Sequence, residues 1–247
     1  MAGGRFLVLG AGGLGCPALL GLVGAGARHI AVVDCDAVDA TNLHRQVLYD
    51  LGDVGAPKVE AAARRLRALD PRLQVEPIPL RLDERTLSSL LAAQPAGTVV
   101  LECSDQPGLK FLVHDLCGEH HLDLVIGGVQ RWGGQAMAVR HGAGACFRCV
   151  FEAAPPAELA PSCAAVGVLG AAAGALGFMM AHLAVALDAR QDVAGTLVAL
   201  DLRDLRPQQI RPARRAGCPG CDPHAPAPVR GPLGPACATA AGAACSR

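Results

Sequence analysis

The segment Arg5-Phe-Leu-Val-Leu9 runs straight into Gly10-Ala-Gly-Gly-Leu-Gly15, and a second apolar run, Ile30-Ala-Val-Val33, ends at Asp34. An apolar strand, a G-x-G-x-x-G loop opening a helix, and an acidic residue about 20 positions on form the fingerprint of a nucleotide-binding βαβ unit. Each glycine has a physical task. Gly10 allows the tight turn off the strand, Gly12 and its neighbour Gly13 leave room for a phosphate against the backbone, and Gly15 lets the helix pack closely on the sheet. Asp34 stands where a carboxylate accepts hydrogen bonds from a ribose. This stretch does not settle which nucleotide binds.

The rest of the chain repeats the strand–helix alternation. Gly55-Ala-Pro57-Lys58 opens a helix through Leu69 whose outer face carries Arg64, Arg65 and Arg67. Leu73–Leu80, with two prolines, reads as an edge strand. A helix over Asp83–Ala93, a buried strand over Thr98–Leu101, a helix over Phe111–His120 and a strand over Leu122–Gly127 follow. Beyond Gly128 the pattern changes to a hairpin strand at Gln135–Val139, later strands near Gly195–Asp201 and Gln208–Arg211, and a loop over Pro155–Pro161 long enough for a crossover or lid. The expected class is therefore α/β: a doubly wound, mostly parallel, Rossmann-like sheet with an antiparallel extension towards the C-terminus. One domain over residues 1–222 is expected. Residues 223–247, rich in Pro, Ala and Gly, offer no core and read as a disordered tail.

Ala164–Leu187 contains no Lys, Arg, Asp or Glu. It carries His182, lacks aromatic anchors and stands alone in mid-chain, so it reads as a buried or subunit-interface helix rather than a membrane span. Lys plus Arg equals Asp plus Glu at 22 each, which argues against a nucleic-acid or anionic-membrane partner. The N-terminus lacks the features of a secretory signal, and a cytoplasmic chain is expected. In that reducing setting, clustered cysteines point to metal or thiol chemistry.

Two C-x-x-C pairs, Cys146/Cys149 and Cys218/Cys221, supply the four thiolates of a closed, structural zinc site. Their separation means that the metal would tie two distant segments together. A second group comprises Asn42, Arg45, Lys58 and Asp105, placed at carboxyl ends of strands where α/β sheets bind ligands. Arg45 and Lys58 would neutralise phosphates, Asn42 would orient one, and Asp105 would hold Mg²⁺ between phosphate oxygens. Together they favour a triphosphate over a dinucleotide. An NAD(P)-dependent oxidoreductase would use the same glycine loop and Asp34 but leave these cations and the cysteine pairs unexplained.

Eight motifs occur in a recognisable order: Gly10–Gly15, Val33-Asp34-Cys-Asp36, Asn42-Leu-His-Arg45-Gln46, Gly55-Ala-Pro-Lys58, Cys103-Ser-Asp105-Gln, Cys146-Phe-Arg-Cys149, Pro161-Ser-Cys163 with Gly167-Val-Leu-Gly170, and Cys218-Pro-Gly-Cys221. In these the chain resembles the E1-like adenylyltransferases, in particular those of molybdopterin-synthase and thiamine biosynthesis that activate ubiquitin-like sulfur-carrier proteins. The resemblance covers about residues 4–222. It implies ATP and Mg²⁺ in the glycine-loop site, with Asp34 on the ribose, Asn42, Arg45 and Lys58 around the phosphates, and Asp105 on the metal. The carrier's C-terminal Gly-Gly carboxylate would attack the α-phosphate, giving an acyl-adenylate and pyrophosphate. It further implies a homodimer with zinc on the four cysteines. Cys163 matches a reactive cysteine of some relatives that takes the acyl or sulfur group. The chain departs from the pattern in three places, one of them Gln106 after Asp105, where relatives carry an asparagine. The first strand starts without the N-terminal helical segment whose arginine reaches a partner subunit's ATP, so a catalytically weakened, scaffold-type subunit is a further reading. Lys110 stands where relatives carry an arginine.

Overall fold

The computed structural model describes residues 3–155, 167–222 and 224–228. The strands are β1 (Arg5–Leu9), β2 (His29–Val33), β3 (Gln74–Ile78), β4 (Val99–Glu102), β5 (Asp123–Gln130), β6 (Gly133–Val139), β7 (Leu197–Asp201) and β8 (Gln208–Ile210). The helices are α1 (Gly15–Gly24), α2 (Lys58–Leu69), α3 (Glu84–Ala92), α4 (Pro107–Glu119), α5 (Phe147–Val150) and α6 (Gly170–Asp188). All eight strands form one sheet in the order β3-β2-β1-β4-β5-β6-β7-β8. The first five are parallel, and β6, β7 and β8 join antiparallel, giving the doubly wound sheet and antiparallel extension expected from the sequence. Pro77 lies in β3, at the sheet edge, where a missing N–H does no harm.

Alternation along the buried strands builds two cores. Phe6, Val8, Ile30, Val32 and Leu101 point to one face, covered by α1, α2 and α6; Leu7, Leu9, Val33, Val100 and Ile126 point to the other, covered by α3, α4 and α5. The apolar helix α6 is long enough to cross a membrane by length and composition alone. Here it lies along α1, β5 and β6. The two helices approach closely at glycines: a Cβ on Gly177 of α6 would sit 2.4 Å from Pro17 Cγ, and one on Gly21 of α1 would sit 2.7 Å from Ala181 Cβ.

Several boundaries differ from the sequence reading. Helix α4 begins at Pro107 rather than Phe111, because proline at the first helical position has no N–H to leave unpaired. Strand β5 runs on to Gln130 and turns through Arg131 and Trp132 into β6 at Gly133. Residues 146–149 lie outside the sheet, with Cys146 at the N-terminal boundary of the one-turn helix α5. Of the 164–187 helix, the described part starts at Gly170. The expected tail lies outside the described residues apart from 224–228.

Candidate active site

The chain moves outward from β1 to β2 and β3, then returns to the other side of β1 with β4. Such a switch of direction opens a crevice at the carboxyl ends of β1 and β4, where open α/β sheets take their ligands. Gly10 adopts φ +95° there, and a Cβ on it would press 3.2 Å from the Cys103 carbonyl carbon. A Cβ on Gly15 would sit 2.0 Å from the Gly10 carbonyl oxygen. The loop is thus bare backbone folded against the end of β4, as a phosphate cradle requires.

Asp34 ends β2 and ties the loop down: Ala11 N–H donates to Oδ2 and Asp36 N–H to Oδ1, both at 2.8 Å. Burial pushes its carboxyl above the usual range, against the pull of Lys58. Lys58 opens α2 and is itself buried, with Nζ donating to Asp36 Oδ2 at 2.8 Å. Burial works against its charge, but Asp34 and Asp36 outweigh that and hold the ammonium above the ordinary lysine value. The backbone enforces this geometry: Lys58 N–H donates to Asp36 O at 2.9 Å and Val38 N–H to Ala56 O at 2.8 Å.

Asn42 lies in a one-turn 3-10 helix (Ala40–Asn42), and its carbonyl accepts the N–H groups of Arg45 and Gln46. That turn places Arg45 against the glycine loop, its Cδ 3.4 Å from where a Gly13 Cβ would stand, and Gln46 Nε2 3.8 Å from a Gly12 Cβ. Arg45 Nη1 donates to His44 Nε2 at 3.2 Å, while His44 Nδ1 faces Thr41 O at 2.9 Å. Gln46 is buried, and its Oε1 has no hydrogen-bond partner among the described residues. The start of α6 abuts the same turn, where a Cβ on Gly170 would meet His44 O at 2.3 Å. Asp105, exposed three residues past the end of β4, makes no hydrogen bond with the described residues. The structure therefore gathers Gly10, Gly12, Gly13, Gly15, Asp34, Asp36, Arg45, Gln46 and Lys58 around one crevice, with Asn42 tied in through its carbonyl and Asp105 following the Cys103–Ser104 backbone against which Gly10 packs. Cys163 lies outside the described residues.

Lys110 bonds groups of the protein itself at the end of β4 and in β5. Its Nζ donates to Glu102, to Ser104 O at 2.7 Å and to Gly127 O at 2.6 Å, so its three protons are all engaged within the protein. Glu102 closes β4 fully buried, and burial raises its carboxyl above the usual range against the opposing pull of Lys110 and Ser104. Sequence reasoning missed this pair. Its only trace was a glutamate ending the apolar run Val99-Val-Leu-Glu102.

On the opposite face of the sheet the two C-x-x-C pairs meet. Sγ separations are 3.8 Å (Cys146–Cys149), 3.6 Å (Cys146–Cys218) and 3.5 Å (Cys149–Cys221). Four thiolates about 2.3 Å from a tetrahedral zinc stand about 3.8 Å apart, so the donor set fits that ion. Burial resists ionisation of Cys149, but N–H groups of Arg215 and Cys146 bring its pKa down to about 7. Beside the cluster, Arg148 forks onto Asp115 (Nε–Oδ1 2.7 Å, Nη2–Oδ2 2.8 Å), and His114 Nδ1 contacts Asp115 Oδ1 at 3.0 Å. This buried triad was also missed, since Arg148 lies 33 residues from Asp115 in the chain.

With the crevice and the cysteine cluster located, the sequence pattern of the ThiF family matches residues 2–220. The chain belongs to the ThiF family. It is 38% identical over 222 residues to the sulfur carrier protein adenylyltransferase of Thermus thermophilus, covering 87% of this chain and 81% of that protein. It is 36% identical over 219 residues to the SAMP-activating enzyme E1 of Haloferax volcanii, covering 88% and 80%. The adenylyltransferase and sulfurtransferase MOCS3 of Bos taurus is 39% identical over 225 residues, of which this chain spans 49%. Among solved structures, E. coli MccB with ATP superposes with a TM-score of 0.75 at 18% identity, covering 88% of this chain and 67% of MccB. That likeness establishes the fold.

Proposed function

We propose that this ThiF-family chain uses ATP to adenylate the C-terminal Gly-Gly carboxylate of a ubiquitin-like sulfur-carrier protein, releasing pyrophosphate. The observation that carries this reading is the convergence of the Gly10–Gly15 cradle with Arg45 and Lys58 at the β1/β4 crevice. Attacking carboxylate and attacked phosphate are both anionic, so positioned cations supply most of what the reaction needs.

Arg45 and Lys58 would hold the phosphates, Asn42 would orient them, and Asp34 would receive the ribose while keeping its two backbone partners. Asp105 would hold Mg²⁺, which neutralises charge on the phosphate oxygens when bound. The four cysteines would hold a structural zinc ion joining α5 to the Cys218–Cys221 turn. Exposed Phe178 and His182 on α6 beside α1 suit a face covered by a second copy of the chain, as in a homodimer. We place the catalytic unit in residues 1–222, assign Cys163 a role as acyl or sulfur acceptor, and locate the enzyme in the cytoplasm with no nucleic-acid or membrane partner.

ATP–pyrophosphate exchange tests the reading. Exchange is expected only with a small ubiquitin-like partner ending in Gly-Gly, and removal of the two glycines abolishes it. Absence of exchange with every such partner would overturn the reading, and NAD(P)H-dependent turnover would replace it with an oxidoreductase.

A further inference from the structure

We infer that Tyr49 is a positioning residue for the nucleotide: its hydroxyl holds the Ala11 carbonyl inward, so that the Gly12 N–H is turned out to the crevice as a phosphate donor. The inference rests on the reading of the glycine loop as a phosphate cradle and adds a residue outside the loop that sets its orientation.

Tyr49 lies 38 residues beyond Ala11 in the chain, yet its hydroxyl donates to Ala11 O at 2.9 Å. It is the chain's only tyrosine and is buried in the core that includes Cys16, Leu48 and Val59. A phenol in an apolar setting needs a partner for its hydroxyl, and the loop carbonyl supplies it. Burial, with the Cys16 thiol and the Asp34 carboxylate as neighbours, pushes the phenol pKa up, so the hydroxyl keeps its proton and donates. Cys16 Sγ reaches the same oxygen at 3.4 Å, but a thiol is a weak donor.

Peptide geometry carries the effect to the crevice. Peptide bonds among the described residues are all trans, and across a planar trans peptide the C=O and N–H point in opposite directions. With Ala11 O drawn into the core, the N–H of the same peptide, on Gly12, points the other way. The preceding peptide is fixed as well, since Ala11 N–H donates to Asp34 Oδ2 at 2.8 Å. Ala11 is fully buried while Gly12 and Gly13 are partly exposed, and neither glycine N–H donates to another group among the described residues. Two backbone donors therefore stand free just before α1, where an anion is favoured.

The turn that carries Tyr49 also carries Arg45 and Gln46. Tyr49 N–H donates to Gln46 O at 3.1 Å, and the N–H groups of Arg45 and Gln46 both donate to Asn42 O. The hydroxyl thus ties the 42–49 turn to the loop its side chains face, and holds the two halves of the cradle in one register.

Tyr49→Phe keeps the ring and removes one oxygen. Calorimetric titration of the purified protein with ATP–Mg²⁺, inorganic tripolyphosphate and adenosine separates loop orientation from packing. Loss of one charge-assisted N–H contact corresponds to about tenfold or more in affinity. Tyr49→Phe is therefore expected to bind ATP and tripolyphosphate at least tenfold more weakly, and adenosine as before. ATP affinity within about twofold of the original, or an equal loss for adenosine, would overturn the proposal, since a merely structural role weakens all three alike or none. In pyrophosphate exchange, KM for ATP is expected to rise at least tenfold with KM for the carrier unchanged; the reverse pattern would overturn it. An unaltered protein that binds ATP but exchanges no pyrophosphate with any carrier overturns adenylation, while the titrations still decide the part of Tyr49. One that binds neither ATP nor tripolyphosphate overturns the cradle and the role of Tyr49 together.

Discussion

Replacing Lys110 by Met isolates the buried pair behind the active-site loop. Glu102 is fully buried, and its side-chain partners among the described residues are Lys110 and Ser104. Methionine fills similar volume but offers no proton to Glu102, Ser104 O or Gly127 O. Removing one member of a buried ion pair costs about 3–5 kcal/mol, because the remaining charge is left without a counter-ion. Urea denaturation followed by circular dichroism at pH 8 should show a loss of this size. The sign of the pH dependence follows from Glu102. Its folded pKa is already raised by burial and rises further without Lys110, so the folded state binds a proton that the unfolded state has released. The variant therefore regains stability as pH falls from 8 towards the unfolded glutamate value of about 4.3. Glu102→Gln in the same chain should recover most of the loss at pH 8. Since Lys110 also fixes the Ser104 carbonyl beside Asp105, KM for ATP–Mg²⁺ should rise in the single variant. A Lys110→Met protein within about 1 kcal/mol of the original, or no recovery in the double variant, would refute the reasoning.

Lys58→Ala removes a buried cation from the phosphate site and should lower pyrophosphate exchange by about 10²–10³; near-normal exchange would remove Lys58 from the mechanism. Asp105→Ala should abolish adenylate formation with the circular dichroism spectrum unchanged, and retained exchange would count against its metal role. Elemental analysis should find one zinc per chain, lost in Cys146→Ser together with thermal stability; metal-free protein with four intact thiols would contradict the site. Asp115→Asn leaves the buried Arg148 guanidinium without its carboxylate, a loss of about 3 kcal/mol at pH 7. Burial opposes ionisation of Asp115, but Arg148 and His114 hold its folded pKa below 3.8. That stability is therefore complete above about pH 4 and disappears as pH falls through the depressed value, and thermal midpoints of variant and original should converge there. A gap independent of pH would show that Asp115 acts through packing alone.

The nucleotide crevice was legible because its parts are local: a glycine loop between an apolar strand and a helix can fold in few ways, and Asp34 follows at fixed distance. The cysteine cluster was legible for a different reason, since paired thiols at metal-binding spacing need no tertiary information to be recognised, although 72 residues separate Cys146 from Cys218. Glu102–Lys110 and Asp115–Arg148 were not. Each is a tertiary ion pair whose members look like surface charges until the sheet and α4 bury them. The Arg131–Trp132 turn was hidden because neither residue is a usual turn former, and the left-handed backbone is imposed by the strands and the 167–169 segment around it.

The central claim is that a carboxylate attacks the α-phosphorus of ATP at the β1/β4 crevice. A carrier labelled with heavy oxygen in its C-terminal carboxylate, incubated with enzyme and ATP and then treated with a thiol that cleaves acyl-adenylates at the carbonyl, reads this directly by mass spectrometry. The account predicts one labelled oxygen in the released AMP and none in pyrophosphate. Label in inorganic phosphate, or AMP free of label, would contradict it.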